Sequence, residues 1–126
     1  MTLSDDELDR YARHIALPQL GGIGQQRLKA TRVAVVGAGG IGAAVIPALT
    51  GAGIGHLTII DGDMVELSNL QRQPIFRDDQ VGGEKAPLAA AFAMAINPHV
   101  ETVARERRIG KESAPWLMSR IFSSPR

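Results

Sequence analysis

Gly37, Gly39 and Gly42, with a fourth glycine at Gly40, directly follow the apolar run Val33-Ala34-Val35-Val36. A turn of that composition lets a phosphate approach backbone N–H groups, because a Cβ at these positions would hold it away. The helix expected behind the turn adds the positive end of its dipole at the same place. Asp61 lies nineteen residues beyond Gly42, at the end of a second apolar run. There a carboxylate can accept hydrogen bonds from ribose hydroxyls. A glycine turn alone can simply pack a helix onto a sheet. Between a strand and a helix, and joined by Asp61, it points to an adenosine nucleotide.

The spacing does not separate a dinucleotide such as NAD from ATP. Asn69 and Arg72, within Ser68-Asn69-Leu70-Gln71-Arg72-Gln73, fall in an irregular segment after the ribose-binding strand. Lys85 follows Gly82-Gly83 at a helix start. Singly these would be surface residues. Together they suit a triphosphate, whose cleavage leaves charge that cations must stabilise. Arg13 precedes the glycine turn, and from spacing alone it reads as a surface charge with a packed stem. His14, His56 and His99 have no metal-ligand spacing, so no side-chain metal site is expected. The sequence contains no cysteine, which excludes disulfides, thiolate zinc and a cysteine nucleophile from this chain.

These residues need a scaffold, and the pattern of apolar positions supplies one. Ser4 and Glu7 have capping-box spacing, and Leu3 with Leu8 that of a hydrophobic staple. The helix so begun places Leu8, Tyr11, Ala12 and Ile15 on one face, with Arg10, Arg13 and His14 at its margins. Pro18 and Gly21-Gly22-Ile23-Gly24 should end it, before a short helical piece from Gln25 to Ala30. Arg32–Val36 reads as a strand buried on both faces of a parallel sheet. The next helix has Ile41, Ala44, Val45, Ala48, Leu49 and Ala52 as its apparent packing face and Gly53 as its stop. Pro47 inside it predicts a bend, not a break. His56–Ile60 is a second strand.

Gly62 to Asp79 is a polar loop of a length associated with function or mobility. A helix beginning near Lys85 accommodates Pro87 in its first turn, aligns Leu88, Phe92 and Ile96, and stops at Asn97-Pro98. Its many alanines predict burial by the sheet or by another subunit. Val100–Arg107 is a third, weaker strand, and Glu112–Ile121 a further amphipathic helix. The sum is an α/β chain with part of a Rossmann-like, doubly wound, mostly parallel sheet, preceded by N-terminal helices. Its expected divisions are a helical segment at 1–31, a partial nucleotide-binding domain at 32–122 and a tail at 123–126.

At 126 residues the chain is one domain's worth. A net charge of +1 gives no electrostatic case for nucleic acid or an anionic membrane, and 4% aromatics leave little for base stacking. No apolar run is long enough to span a bilayer, and the acidic N-terminus is unlike a signal peptide, so a cytoplasmic location is expected.

Arg10-Tyr11-Ala12-Arg13-His14-Ile15, the glycine turn Gly37–Gly42, Asp61-Gly62-Asp63, Ser68–Gln73, Gly83-Glu84-Lys85 and Ile96-Asn97-Pro98 occur in one order. That combination resembles the adenylyltransferases of molybdopterin and thiamine biosynthesis, bacterial relatives of ubiquitin-activating enzymes. The likeness runs from about Leu3 to about Val103. It implies adenylylation of the C-terminal carboxylate of a small ubiquitin-like sulfur-carrier protein ending in Gly-Gly. ATP would be the donor, Mg²⁺ would assist and pyrophosphate would leave. Carried over by position, Gly37, Gly39, Gly40 and Gly42 would hold the nucleotide and Asp61 its ribose. Asn69, Arg72 and Lys85 would bind the triphosphate and stabilise departing pyrophosphate. Arg13 would reach the triphosphate of the neighbouring subunit in a homodimer.

The family's Mg²⁺-supporting acid, its Cys-x-x-Cys zinc motifs, its sulfur-transfer cysteine and most of its carrier-gripping surface have no counterpart here. The chain is therefore expected to be the N-terminal, nucleotide-binding half, inactive or weakly active alone. Half of a NAD-dependent oxidoreductase and a non-catalytic dimerising relative are the alternatives. Half a doubly wound sheet would expose a strand edge and apolar helix faces, which predicts a dimer or larger assembly.

Overall fold

Three parallel strands carry the molecule, in the spatial order β1-β2-β3. The computed structural model describes residues 2–108. The expected helix at Glu112–Ile121 and the tail lie outside the described residues. The elements are α1 (Asp5–Arg10), α2 (Ala12–Ile15), α3 (Gly21–Ala30), β1 (Arg32–Val36), α4 (Gly40–Ala52), β2 (His56–Ile60), α5 (Lys85–Ile96) and β3 (Glu101–Arg105). Val35 pairs with Ile59 and Ile59 with Ala104, so one sheet face presents Val33, Val35, Leu57, Ile59 and Ala104. That face meets Ala43 and Ile46 of α4 and Ala86, Ala89 and Ala93 of α5 in a single core. Burying Leu57 or Ile59, both fully covered, contributes about 2 kcal/mol each. The arrangement is a Rossmann-like α/β fold.

Burial on both faces holds for β2 but not for β1, whose Arg32 and Val36 are exposed. β2 has a neighbour on each side, whereas β1 pairs only with β2 among the described residues.

The helices depart from expectation in phase more than in place. The buried face of α4 is Ala43, Ile46 and Thr50; Ala44 and Ala48 are exposed and Ile41 is 83% exposed. The helix is apolar on nearly every side, so its spacing carries little information about which side faces the sheet. It runs unbroken through Pro47 and ends at Gly53, which takes φ +90°. In α5 the alanine stripe is buried, while Leu88, Phe92 and Ile96 are only half-buried, because a short side chain lets the helix lie close to β2 and β3. The long loop after β2 is anchored rather than loose: Val65, Ile75 and Phe76 enter the core.

The N-terminal helix is two pieces separated at Tyr11, and the Gly21–Gly24 cluster starts α3 instead of ending its predecessor. Of the expected apolar face only Tyr11 is buried; Leu8 and Ala12 are exposed. Polar anchors hold these helices instead. Asn97 Nδ2 donates to the Tyr11 hydroxyl (2.7 Å) and to the Thr50 carbonyl (2.9 Å), and Gln25 Nε2 donates to the Ala52 carbonyl at 2.8 Å. Glu7, capped by Ser4 as expected, pairs with Lys29 at 2.7 Å.

Candidate nucleotide site

The glycine turn sits where β1 gives way to α4, at the carboxyl end of the sheet. Gly37 takes φ +94°, a conformation that L side chains rarely adopt, while its N–H donates to the Ile60 carbonyl at 2.7 Å. Gly42 is required by contact: a Cβ there would stand 1.9 Å from the Gly37 carbonyl oxygen. Gly39 is the N-cap of α4, and Gly40 opens its first turn. No atom of the described residues lies within 4 Å of a Cβ built on Gly37 or Gly40, so among them the outer side of the turn is open to a ligand.

Asp61, at the end of β2, is buried, and both its carboxylate oxygens already accept backbone hydrogen bonds. Ala38 N–H donates to Oδ2 and Asp63 N–H to Oδ1, each at 2.7 Å. Asp61 therefore ties the glycine turn to the loop after β2. A ribose hydroxyl would share a carboxylate oxygen that is also positioning backbone, using its remaining lone pairs.

Around Asp61 are two cavities at the ends of the strands. One, of about 210 Å³, is lined by Val36, Gly37, Ile60 and Asp61 together with Arg107 and Arg108. The other, of about 450 Å³, is lined by Met64, Glu66, Asn69, Lys85 and Arg108. Gly62 and Asp63 border both. Lys85, the first residue of α5, is only 7% exposed, and among the described residues no hydrogen bond or ion pair engages its ammonium. Its position is set by backbone: Lys85 N–H donates to the Asp63 carbonyl, and the 63–66 and 82–84 segments are clipped together by bonds between Val65 and Gly82-Gly83. Asn69 is buried, its Oδ1 accepting from Glu66 N–H at 2.9 Å.

Gly37, Asp61, Asn69 and Lys85 thus come together. Arg72 is exposed on the same loop, with Nη1 donating to the Ser68 carbonyl at 3.2 Å, and it borders neither cavity. Arg13 stands apart, lining a third cavity of about 310 Å³ with Asp9, Tyr11, His14 and Gly51.

Two residues had no assigned role from sequence. Gln73 is buried against the glycine turn, its Nε2 2.9 Å from the position of a Cβ on Gly39. Among the described residues its Oε1 is a buried acceptor without a partner, a costly condition. Arg108 follows β3 and borders both cavities; the arginine pair at 107–108 was its only sequence signal.

Near Lys85, a side-chain hydrogen bond with Glu84, with the Glu84 charge acting in the same direction, raises the carboxyl of the exposed Glu106 from its ordinary value. Among the described residues no group of three or more His, Cys, Asp or Glu could hold a metal ion. No helix among them is long and apolar enough to cross a membrane.

Residues 11–125 match the model of the ThiF family. The chain is 50% identical over 115 residues to the SAMP-activating enzyme E1 of Haloferax volcanii, covering 90% of this chain and 43% of that protein. It is 44% identical over 114 residues to the sulfur carrier protein adenylyltransferase of Thermus thermophilus, covering 90% and 42%. Among solved structures, the E. coli tRNA N6-threonylcarbamoyladenosine dehydratase TcdA in complex with ATP aligns with a TM-score of 0.87 and 30% identity, over 94% of this chain and 48% of that one. The chain spans less than half the length of each of these relatives.

Proposed function

The chain belongs to the ThiF family, and from that premise we propose that it binds ATP as the nucleotide half of an adenylyltransferase. Its substrate class is the C-terminal carboxylate of a ubiquitin-like sulfur-carrier protein ending in Gly-Gly. The observation that carries this reading is Lys85, buried yet unpaired among the described residues, in one cavity with Asn69 and beside the Asp61-anchored glycine turn. An ammonium on a largely buried stem that no other described side chain neutralises is placed to receive a phosphate. The relatives named for carrier activation and the ATP complex of a structural neighbour support the choice of ligand and substrate.

In the reaction, a carrier carboxylate oxygen attacks the α-phosphorus of ATP and the bond to the β-phosphate oxygen breaks. The acyl-adenylate forms and pyrophosphate carries away the electron pair. The carboxylate is ionised at neutral pH, so no general base is needed; the chain's residues act by position and charge. Gly37, Gly39, Gly40 and Gly42 give the phosphates access to backbone and to the N-terminus of α4. Asp61 receives the ribose, Asn69 and Lys85 hold the outer phosphates, and Arg72 turns inward from the loop. Arg13 serves the nucleotide of a partner copy. Mg²⁺ would neutralise phosphate charge, but the described residues form no cluster of their own to hold it, and no step here depends on one.

Calorimetric titration of the chain with ATP and with NAD tests the reading, alongside pyrophosphate exchange with a Gly-Gly-ended carrier. ATP should bind more tightly than NAD, and Lys85→Ala should weaken ATP roughly tenfold or more. Tighter binding of NAD, indifferent to Lys85→Ala, would overturn it.

A further inference from the structure

We infer that Arg108 is a further nucleotide-binding residue, which holds the first phosphate as it passes from the Asp61 cavity to the Lys85 cavity. The inference rests on the ATP-binding reading above. Among the described residues, Arg108 borders both cavities, together with Gly62 and Asp63. The Asp61 cavity has strand ends and a ribose-accepting carboxylate; the Lys85 cavity has an ammonium without a partner among the described residues. A nucleotide with its ribose in the first and its outer phosphates in the second crosses the boundary at its first phosphate.

Backbone contact fixes the arginine at that boundary. A Cβ on Gly62 would meet Arg108 N at 2.9 Å and Cγ at 2.7 Å, so the chain after β3 lies directly on Gly62 and only a glycine admits it. The stem is pinned and the head is held by a single exposed ion pair among the described residues. Arg108 Nη2 lies 2.7 Å from Asp63 Oδ1, with the side chains 81% and 50% exposed, and an ion pair that exposed is weakly held. One such pair leaves most of the five guanidinium donors unused, in a planar fork suited to phosphate oxygens. Asp63 aims the guanidinium before a nucleotide binds and yields it to phosphate.

The roles of Arg108 and Lys85 are separable. AMP retains the first phosphate and lacks the outer two, so Arg108 should matter to AMP and ATP alike, and Lys85 to ATP alone. The test is titration of the chain and of the Arg108→Ala, Arg108→Lys and Lys85→Ala variants with adenosine, AMP and ATP, followed by NMR so that weak binding is measured. Arg108→Ala should weaken AMP and ATP by a similar factor of roughly ten or more and adenosine by less than about twofold, with Arg108→Lys recovering part of the loss. Lys85→Ala should weaken ATP and spare AMP. Undiminished AMP and ATP binding by Arg108→Ala would overturn the inference and leave the ATP reading intact. An equal loss for adenosine, AMP and ATP would also overturn it, because the residue would then only shape the strand end. Failure of the unaltered chain to bind ATP would overturn both.

Discussion

Asp61 does structural work before any ligand arrives, since its two oxygens fasten Ala38 and Asp63 by their N–H groups. Asp61→Asn keeps the shape but turns an NH₂ toward one of those N–H donors, leaving it buried and unpaired. Stability should fall by about 1–3 kcal/mol, read from urea unfolding, with nucleotide affinity falling in parallel. An intact unfolding curve with lost binding would mean that the carboxylate serves the ribose alone. Glu106 gives a second expectation, this one dependent on pH. Its hydrogen bond with Glu84 raises its carboxyl, so the folded state binds the proton more tightly than the unfolded chain does. The resulting stability is fully present below the unfolded value and is lost as pH rises through the raised one. Glu106→Gln keeps a hydrogen bond without the charge. It should unfold at a higher temperature than the unaltered chain at pH 7, and the gap should close under acid.

The N-terminal helices depend on few anchors, and Asn97 is the central one. It binds Tyr11 and Thr50 through Nδ2, and its Oδ1 accepts from His99 N–H. Asn97→Ala should destabilise by about 2–4 kcal/mol and Tyr11→Phe by about 1, measured by denaturant unfolding. Glu7 fastens α1 to Lys29 in α3. Burial works to raise its carboxyl, but hydrogen bonds from Lys29 and Ser4 and the Lys29 charge outweigh this and hold it below the usual range. Its contribution is therefore present above the unfolded value and lost as pH falls through the lower folded one. Glu7→Gln should destabilise at pH 7 by about 1–3 kcal/mol, with the difference vanishing in acid.

Elements of this kind were unevenly legible. The first two strands could be read because apolar, β-branched runs beside Gly37 and Gly55 have few other uses, and Gly37, Asp61 and Lys85 because local spacing alone places them at strand and helix ends. The buried side of α4 could not, because Ala43 and Ala44 are equally apolar and the buried Thr50 satisfies its hydroxyl on the Ile46 carbonyl. Gln73 against Gly39 and Arg108 against Gly62 are meetings across the fold, which spacing along the chain does not encode.

The sheet as a whole leaves one side of β1 unpaired among the described residues, and α4 turns Ile41, Ala44 and Ala48 outward. An open strand edge beside an uncovered apolar helix face favours association. Sedimentation should show a dimer forming with concentration, and Ala48→Glu, which places a charge in the middle of the exposed face of α4, should shift it toward monomer. The dimer bears on Arg13, which lies away from both strand-end cavities of its own chain. If it serves the partner's nucleotide, Arg13→Ala and Lys85→Ala protomers complement one another. In a mixed dimer the Arg13→Ala protomer keeps its own Lys85 and receives Arg13 from its partner, giving one intact site. The other site lacks both. Mixing the two weakened variants should therefore restore tight ATP binding to about half of the sites in each mixed dimer. An arginine acting within its own chain would give no recovery at all, and a chain that stays monomeric while binding ATP at full strength would remove the need for Arg13 altogether.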